Sequence, residues 1–246
     1  MLPILITSAV IPNDPGSVNL KSFELRKKYT IDSILYWRKL APQNPLIICD
    51  GSNFSFSEIL SEINLDTSLI ECLNFQNNNN KIIQLGKGYG ESEIIKYALF
   101  HSSTLKNFQF FAKCTAKLWV PNFLDITKNF NNHLCMLNPF ISSRPFTLSD
   151  VKFIDTRFYV FNKLFYIYNF LTLYDEYEPF LSIEDLFKIK IGKLGLEKVF
   201  FSRPPIISGV SGGSGKYYNT KVYRILKDKI RYHFWKNKSD VKKFFI

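Results

Sequence analysis

The sequence predicts an α/β fold: a single domain with a mostly parallel, mixed central sheet flanked by helices, followed by a basic helical tail. The chain has 246 residues, 46% of them hydrophobic, which is enough for one sizeable core. Through the first half, short apolar runs alternate with segments whose apolar residues recur at helical spacing. Such alternation is typical of sheets built from parallel strands and crossover helices, with both faces covered.

The first half yields four predicted strands and three predicted helices. The strands are the apolar runs at 4–10 and in "PLIICD", "SLIECLNF" and "FQFFAKCTAKLWVP". The helices are in "SFELRKKYTIDSILYWRKL", in "FSFSEILSEI" with Ser57 as its N-cap, and in "ESEIIKYALFHS". Between the third strand and the third helix, "NNNNKIIQLGKGYG" is predicted to be a polar loop.

Beyond about residue 122 the pattern becomes irregular. An aromatic helix is predicted after the strand end near residue 158. Strands with loop-rich connections are predicted in "HLCMLNPF", "DTRFYVF" and "VFFSRPPIIS".

Composition narrows the classes of function. The four cysteines show no CxxC spacing, so they are interpreted as buried thiols rather than zinc ligands or disulfide partners. No run of about 18 uncharged apolar residues occurs, so no membrane-spanning helix is expected. The net charge is +11, of which the segment from Lys216 to Ile246 carries +8, from ten Lys/Arg and two Asp. A basic, aromatic-rich tail indicates an anionic partner, either nucleic acid or membrane headgroups.

The stretch "GKGYGE" at 86–91 is the first candidate binding site. It lacks the spacing of a Rossmann fingerprint and the Gly-Lys-Ser/Thr of a P-loop. Glycines such as Gly88 and Gly90 let backbone amides approach an anion, and a helix beginning near Glu91 would present its positive end there, with Lys87 beside it. A purely structural turn is an equal alternative.

The stretch "FAKCTAKLWVPN" places Lys113, Thr115 and Lys117 two residues apart on a predicted strand, and so on one face. Burying unpaired charge is costly, which favours a cleft that holds an anion. An edge strand with a solvated polar face is the alternative.

Two acidic sites follow along the chain. In "DTRF", Asp155 and Arg157 either pair with each other or bind a sugar hydroxyl and a diphosphate. In "LSIEDLFK", the adjacent Glu184 and Asp185 follow Ser182, which is a ready N-cap, and acidic residues there suit the helix dipole, so these residues by themselves favour an ordinary capped helix.

The stretch "SGVSGGSGKYY" is the last candidate. It is either a flexible linker or a ring of amides and hydroxyls around an anion. The residues concerned are Ser211, Gly212, Gly213 and Lys216.

Taken in order, "GKGYGE", "FAKCTAKLWVPN", "DTRF", "IED" and "SGVSGGSGKYY" resemble a family of bacterial surface-polysaccharide glycosyltransferases of the GT-A type. The likeness extends to "RKKYTIDSILYWRK" and "LIICDGS" and so covers most of the chain. The chain departs from ordinary GT-A enzymes because Asp-x-Asp, which holds a divalent metal there, occurs nowhere in it. Ala116 also stands where the family usually has glycine.

The resemblance implies a GT-A-like domain at 1–215, with a nucleotide-binding half at 1–121 and an acceptor half at 122–215, before a basic amphipathic segment at 216–246. It implies Glu184 and Asp185 as the catalytic pair of an inverting enzyme. No cofactor is expected, and a divalent metal (Mn²⁺ or Mg²⁺) is an open alternative. The residues expected to bind the donor nucleotide and its diphosphate are Asp50, Lys87, Gly88, Gly90, Glu91, Lys113, Thr115, Asp155, Arg157, Ser211, Gly212, Gly213 and Lys216.

The implied activity is transfer of a sugar from a nucleotide-diphosphate sugar to a lipid-linked, lipopolysaccharide or capsule glycan. The implied location is cytoplasmic, at the cytoplasmic face of the inner membrane, where the basic tail would contact headgroups. Nucleic acid is not an expected partner, because the basicity is confined to the tail and no nucleic-acid-binding motif occurs. A nucleic-acid-binding protein and a non-catalytic scaffold of a polysaccharide assembly complex remain the alternatives.

Overall fold

The computed structural model describes residues 1–12, 18–63, 65–141, 151–176, 181–196 and 198–218, together with Leu226, Lys229 and Ile230. The strands are β1 (Ile4–Ser8), β2 (Leu46–Asp50), β3 (Ile70–Asn74), β4 (Phe110–Thr115), β5 (Leu118–Trp119), β6 (Cys135–Ile141), β7 (Val151–Asn162), β8 (Ser208–Val210) and β9 (Tyr217–Tyr218). The helices are α1 (Phe23–Leu40), α2 (Ser57–Glu62), α3 (Asn79–Leu85), α4 (Lys87–His101), α5 (Ser103–Lys106), α6 (Phe123–Ile126), α7 (Lys163–Asn169), α8 (Leu173–Glu176) and α9 (Ile183–Leu194).

Six strands form the central sheet in the order β3-β2-β1-β4-β7-β6. The first four in this order run parallel, whereas β7 is antiparallel to β4 and β6 is antiparallel to β7. A small second sheet has the order β5-β8-β9. The mostly parallel, mixed sheet predicted from the sequence is therefore confirmed.

The hydrophobic core lies on both faces of the central sheet. Successive residues of β1 point to opposite faces, so Leu5 belongs to one cluster and Ile4 and Ile6 to the other. The cluster with Leu5 includes residues of α4 and α9, and the other includes residues of α1 and α6. Full burial of β1 and β2 explains why both strands are apolar at 4–6 and 46–49, with their polar residues confined to the carboxyl ends.

Several local predictions need correction. The "NNNNKIIQLGKGYG" segment is not a loop: the Asn78 side chain caps α3, and α4 begins at Lys87. Ser57 is the first residue of α2 and makes no N-cap bond. In "VFFSRPPIIS", the chain makes only a single bridge to β6, through Phe200, before β8 begins at Ser208. The prolines in this stretch lack the N–H that a continuous ladder requires.

Three further expectations concern the cysteines, membrane-spanning helices and the basic tail. Cys49, Cys114 and Cys135 are buried and Cys72 is half-buried, and all four are free thiols, as expected. Among the described residues, no helix combines the length and apolar character that crossing a membrane would need. The predicted basic tail helix lies almost entirely outside the described residues.

Candidate active site

A cavity of about 970 Å³ opens at the carboxyl ends of β1 and β4. From β1 the chain builds β2 and β3 on one side of the sheet and then crosses back to place β4 on the other side of β1. Ligands of open α/β sheets bind where the strand order reverses in this way. Thr7 and Ser8 of β1 and Thr115 of β4 line the cavity, together with the first turn of α4, the start of α9 and the turn at 211–214.

Most of the site residues predicted from the sequence meet in this cavity, although they come from five separate segments. Those that line it are Lys87, Gly88, Gly90, Glu91, Thr115, Arg157, Glu184, Ser211, Gly212 and Gly213. Those that do not line it are Asp50, Lys113, Asp155, Asp185 and Lys216. Of the residues that do not line the cavity, all except Lys216 make hydrogen bonds or ion pairs with neighbouring residues.

The glycine-rich stretch forms the first turn of α4 rather than a loop before it. Its cap, Gly86, has φ 87° and ψ 173°, a backbone conformation that favours glycine. A Cβ on Gly88 would collide with the hydroxyl of Tyr174, which also lines the cavity. Since Lys87 and Gly88 line the cavity, the positive end of the α4 dipole lies at its wall.

Lys113 is fully buried behind the cavity and uses all three of its donors. Its Nζ lies 2.6 Å from Oε1 of Glu91 and donates to Oγ1 of Thr115 at 2.9 Å and to the carbonyl of Thr156 at 2.8 Å. Thr7 and Thr115 also donate to Oε1 of Glu91, at 2.8 and 3.0 Å. Burial alone would raise the pKa of Glu91, but Lys113 and these hydrogen bonds hold it below its ordinary value. Lys113 therefore ties α4 to β4 and has no donor left for a ligand.

Asp50, at the end of β2, is also fully enclosed. One carboxylate oxygen accepts from the backbone N–H of Val10 at 3.1 Å. The other accepts from the N–H of Ser52 at 2.8 Å and its hydroxyl at 2.6 Å, and from the N–H of Phe54 at 3.3 Å. Asp50 therefore organises the loops after β1 and β2, and the structure does not bring it to the cavity.

Asp155 and Arg157 pair with each other, which was the simpler of the two sequence interpretations. The guanidinium of Arg157 donates to both carboxylate oxygens, at 2.8 and 2.6 Å, and lies 4.8 Å from the ring of Tyr218. Burial would lower the pKa of Arg157, but the bonds to Asp155 raise it above its ordinary value. Asp155 is buried, whereas the side chain of Arg157 is 37% exposed and reaches the cavity. Arg157 is thus a fixed, permanently charged cation of the site.

The adjacent carboxylates at the start of α9 have different roles. Ser182 caps the helix by accepting from the N–H of Asp185 at 3.1 Å, and its hydroxyl donates back to the Asp185 carboxylate at 2.6 Å. Asp185 is therefore part of the cap. Glu184 lines the cavity and accepts one long bond, 3.3 Å, from the hydroxyl of Thr156.

The serine–glycine stretch is an ordered turn that closes the cavity. The carbonyl of Gly213 accepts from the N–H of Asn19 at 2.8 Å, which ties the turn to the segment before α1. A Cβ built on Gly213 would lie 3.4 Å from Nζ of Lys87, so this turn faces the start of α4. Lys216 lies just beyond the turn, is exposed and does not line the cavity.

The structure adds cavity residues that the expected set of donor-binding residues did not include. Arg26 of α1 is buried and donates to the carbonyls of Ala9, at 3.0 Å, and Leu20, at 3.1 Å. Lys117 is 3% exposed and has φ 71° in the turn after β4, so it does not continue the strand as predicted. Ser8 and Asn77 also line the cavity, and each has a buried oxygen without a hydrogen-bond partner. Among these residues, only Lys117 was indicated by the sequence, through its spacing from Lys113. Of these two lysines, Lys117 lines the cavity.

The donor set around the cavity does not fit a divalent metal. Hard cations such as Mg²⁺ and Mn²⁺ take several oxygen ligands, usually including carboxylates. Within the described ranges, no group of three or more His, Cys, Asp or Glu side chains is placed to hold a metal ion. Of the two carboxylates that line the cavity, Glu91 is already paired with Lys113. The charged side chains that line it are otherwise mostly cations.

No protein-family model matches the chain, and no curated protein matches it in sequence. Its structure is similar to that of a protein described as a glucose-1-phosphate thymidylyltransferase from Bacillus anthracis in complex with a sucrose, with a TM-score of 0.51 and 8% identity over 99% of both chains. An active-site mutant of LgtC has a TM-score of 0.49 and 7% identity, over 81% of this chain and 71% of that one. The bifunctional glycosyltransferase WbbM in its apo form has a TM-score of 0.47 and 12% identity, over 94% and 44%.

At such low identities, structural similarity is informative about the fold only. The TM-scores of LgtC and WbbM are below 0.5, so these two proteins support no further statement about this chain. The likeness to the thymidylyltransferase spans essentially the whole of both chains. The chain therefore shares the α/β fold of that protein, with the central mostly parallel sheet and flanking helices that were predicted from the sequence.

Proposed function

We propose that the protein is a glycosyltransferase that uses a nucleotide-diphosphate sugar. The observation that carries this proposal is the cavity at the reversal point of the sheet, which cations from four separate segments line together with Glu184 and which is large enough for a ligand of this class. A nucleoside diphosphate is an anion that needs several donors at once. A glycosyl acceptor, by contrast, needs a carboxylate that can take its proton.

The donor diphosphate would lie between the start of α4 and the 211–214 turn. Lys87 and Arg157, which both line the cavity, supply positive charge, and the positive end of α4 adds to it. The turn supplies small residues that let a phosphate approach its backbone closely. Arg157 suits this role because Asp155 and Tyr218 hold its guanidinium in one orientation.

Glu184 would act as the general base. In the proposed reaction, the acceptor hydroxyl attacks the anomeric carbon while its proton passes to the Glu184 carboxylate. The bond between that carbon and the diphosphate oxygen breaks, and its electron pair remains on the diphosphate. Attack opposite the leaving group inverts the configuration at the anomeric carbon. No step requires a metal-bound group, because the protein's own cations stabilise the leaving diphosphate.

The acceptor we propose is a lipid-linked or lipopolysaccharide or capsule glycan. The support is the motif resemblance together with the +8 charge of the segment from Lys216 to Ile246. A basic segment with interleaved aromatics would hold the enzyme at an anionic membrane surface, where such an acceptor is presented. Cytoplasmic, peripheral membrane location is part of this proposal.

A thermal-shift screen against UDP, GDP, CMP and dTDP, each with and without EDTA, tests the proposal. We expect one nucleotide to raise the Tm by several degrees, equally with and without EDTA. The matching sugar nucleotides are then incubated with the protein, and release of free nucleoside diphosphate is measured. Absence of any nucleotide effect would overturn the proposal, as would release of pyrophosphate from a triphosphate and a sugar phosphate. Tight RNA or DNA binding with a steep salt dependence would favour the nucleic-acid alternative.

A further inference from the structure

Lys117 is a buried lysine whose position is fixed by an unusual backbone conformation. It follows β4 with φ 71°, a conformation that lysine rarely adopts, and its carbonyl accepts from the N–H of Val210 at 2.9 Å. This bond joins the turn after β4 to β8, just before the 211–214 turn. The lysine side chain is 3% exposed and lines the cavity. The fold therefore holds this side chain against the cavity in a defined place.

The ammonium of Lys117 has no partner within the described part of the chain. Lys113, four residues earlier, is equally buried but satisfies all three donors with Glu91, Thr115 and Thr156. Desolvating an ammonium without a protein partner is costly, so its placement at the cavity indicates a role for Lys117 beyond packing.

The surroundings of Lys117 bring its pKa close to neutral pH. Burial, assisted by the positive charge of Arg26, lowers the pKa of Lys117 to about 7, while Asp50 and Glu91 oppose that shift. The carboxylates of Asp50 and Glu91 are already occupied, by backbone amides and by Lys113 respectively. An anion in the cavity would supply the missing negative charge and favour the protonated form of Lys117.

The 211–214 turn shows where that anion would lie. A Cβ built on Gly212 would be 3.0 Å from Cε of Lys117, 3.6 Å from its Nζ and 3.8 Å from NH1 of Arg26. Two cations therefore meet at one glycine of the turn that closes the cavity. Arg26 donates to the carbonyls of Ala9 and Leu20 and, at 3.5 Å, to the carbonyl of Gly212 itself, so it holds the turn in place, whereas Lys117 retains its donors.

We propose that Lys117 is a catalytic residue: its ammonium binds a phosphate oxygen of the donor diphosphate beside Gly212 and stabilises the charge that remains there when the glycosidic bond breaks. This inference rests on the proposed glycosyltransferase function and replaces Lys113 by Lys117 as the lysine that serves the leaving group. Lys117 keeps its proton throughout the reaction, and the proton of the acceptor hydroxyl goes to Glu184. Because the free protein is partly deprotonated at Lys117, binding of the diphosphate takes up protons from solution near neutral pH.

The test is isothermal titration calorimetry at pH 7.5 with the diphosphate identified in the screen, in buffers with different ionisation enthalpies. The proteins compared are wild type, Lys117→Met, Lys117→Arg and the control Lys96→Met, which removes an exposed charge of α4. We expect Lys117→Met to weaken binding of the diphosphate at least tenfold and to leave binding of the parent nucleoside unchanged. We expect Lys117→Arg to retain most of the affinity but lose the proton uptake, because arginine stays charged.

The outcomes separate this inference from the proposed function. If wild type binds the diphosphate and both Lys117 variants bind it with the same affinity and proton uptake, the inference about Lys117 is wrong and the glycosyltransferase proposal stands. If wild type binds no nucleotide, both fail. If Lys117→Met does not fold, the Lys117→Arg comparison decides the matter through proton uptake. A substitution with a merely structural effect would change Tm without changing the number of protons taken up.

Discussion

Lys113→Met is the substitution on which the structure and the sequence pattern disagree. From the pattern, Lys113 contacts the donor, so its loss would abolish transfer and leave the fold intact. In the structure, Lys113 is fully buried and Glu91 depends on it. Methionine fills the lysine stem but leaves Glu91 with only the Thr7 and Thr115 hydroxyls. Removing one partner of a buried ion pair costs about 3–5 kcal/mol.

The expected magnitude lies at the lower end of that range. The Glu91 side chain is 21% exposed, so water relieves part of the penalty, and a loss of about 3 kcal/mol is expected. For a chain of this size each kcal/mol corresponds to roughly 2–4 °C, so the Tm should fall by about 6–12 °C. The double variant Glu91→Gln/Lys113→Met removes both charges and should recover most of the lost stability.

Urea unfolding of wild type, both single variants and the double variant measures the coupling between the two side chains. We expect a coupling free energy of about 2 kcal/mol or more, within the range found for contacting residues. The reasoning is refuted if Lys113→Met costs less than about 1 kcal/mol and yet abolishes nucleotide binding. That result would mean that Lys113 contacts the donor, as the sequence pattern suggested.

Three further predictions concern the proposed site. Glu184→Gln should lower kcat by a factor of roughly 10²–10⁴ and leave nucleotide binding unchanged. Asp185→Asn, at the cap of α9, should retain activity and lose at most about 1 kcal/mol of stability. Steady-state kinetics and urea unfolding measure these effects, and equal losses of kcat in the two variants would contradict the assignment of Glu184 as the base. The free energy of unfolding of wild type, relative to Lys117→Met, should rise between about pH 7 and pH 10.5, because in this range the unfolded chain keeps a lysine proton that the folded chain has released. Urea unfolding of both proteins at pH 6, 7.5 and 9 measures the difference, and the same pH dependence of stability in both would contradict the prediction. EDTA should leave transfer unchanged, and loss of activity that Mn²⁺ restores would show that a metal is required.

The sheet was predictable from the sequence because its central strands are buried on both faces. Such strands are apolar at most positions, so the segments around Ile6, Ile48 and Ala112 stand out from their polar flanks. The buried Lys113 of β4 is an exception, and it is paired with Glu91. The start of α4 was not predictable in the same way. Gly88 and Gly90 disfavour a helix locally, and the helix is maintained there by packing against Tyr174 and Ile82, which no local pattern reveals.

The sequence allowed many residues of the candidate site to be predicted, but not which of their side chains pair with each other. A sequence with lysines at 113 and 117 shows that charge lies near a buried strand, but not which lysine finds a carboxylate. That depends on Glu91, which lies 22 positions away in α4 and reaches Lys113 only because α4 packs against β1 and β2, next to β4 in the sheet. Likewise, no sequence pattern singled out Arg26, which the fold places between the segments after β1 and before α1.

The separation of roles between the two lysines connects the stability of the fold to its proposed chemistry. Lys113 satisfies Glu91 and so fixes the first turn of α4, including Lys87, against the ends of β1 and β4. Because Glu91 is occupied in this way, its negative charge does not pair directly with Lys117. A cavity with a free carboxylate at that position would neutralise its own cation and hold a diphosphate less tightly. The buried Lys113–Glu91 pair thus keeps Lys117 available for an anionic ligand. The single variant Glu91→Gln should therefore cost stability through the unpaired Lys113 and, because the charge of Glu91 raises the pKa of Lys117, should also lower that pKa further.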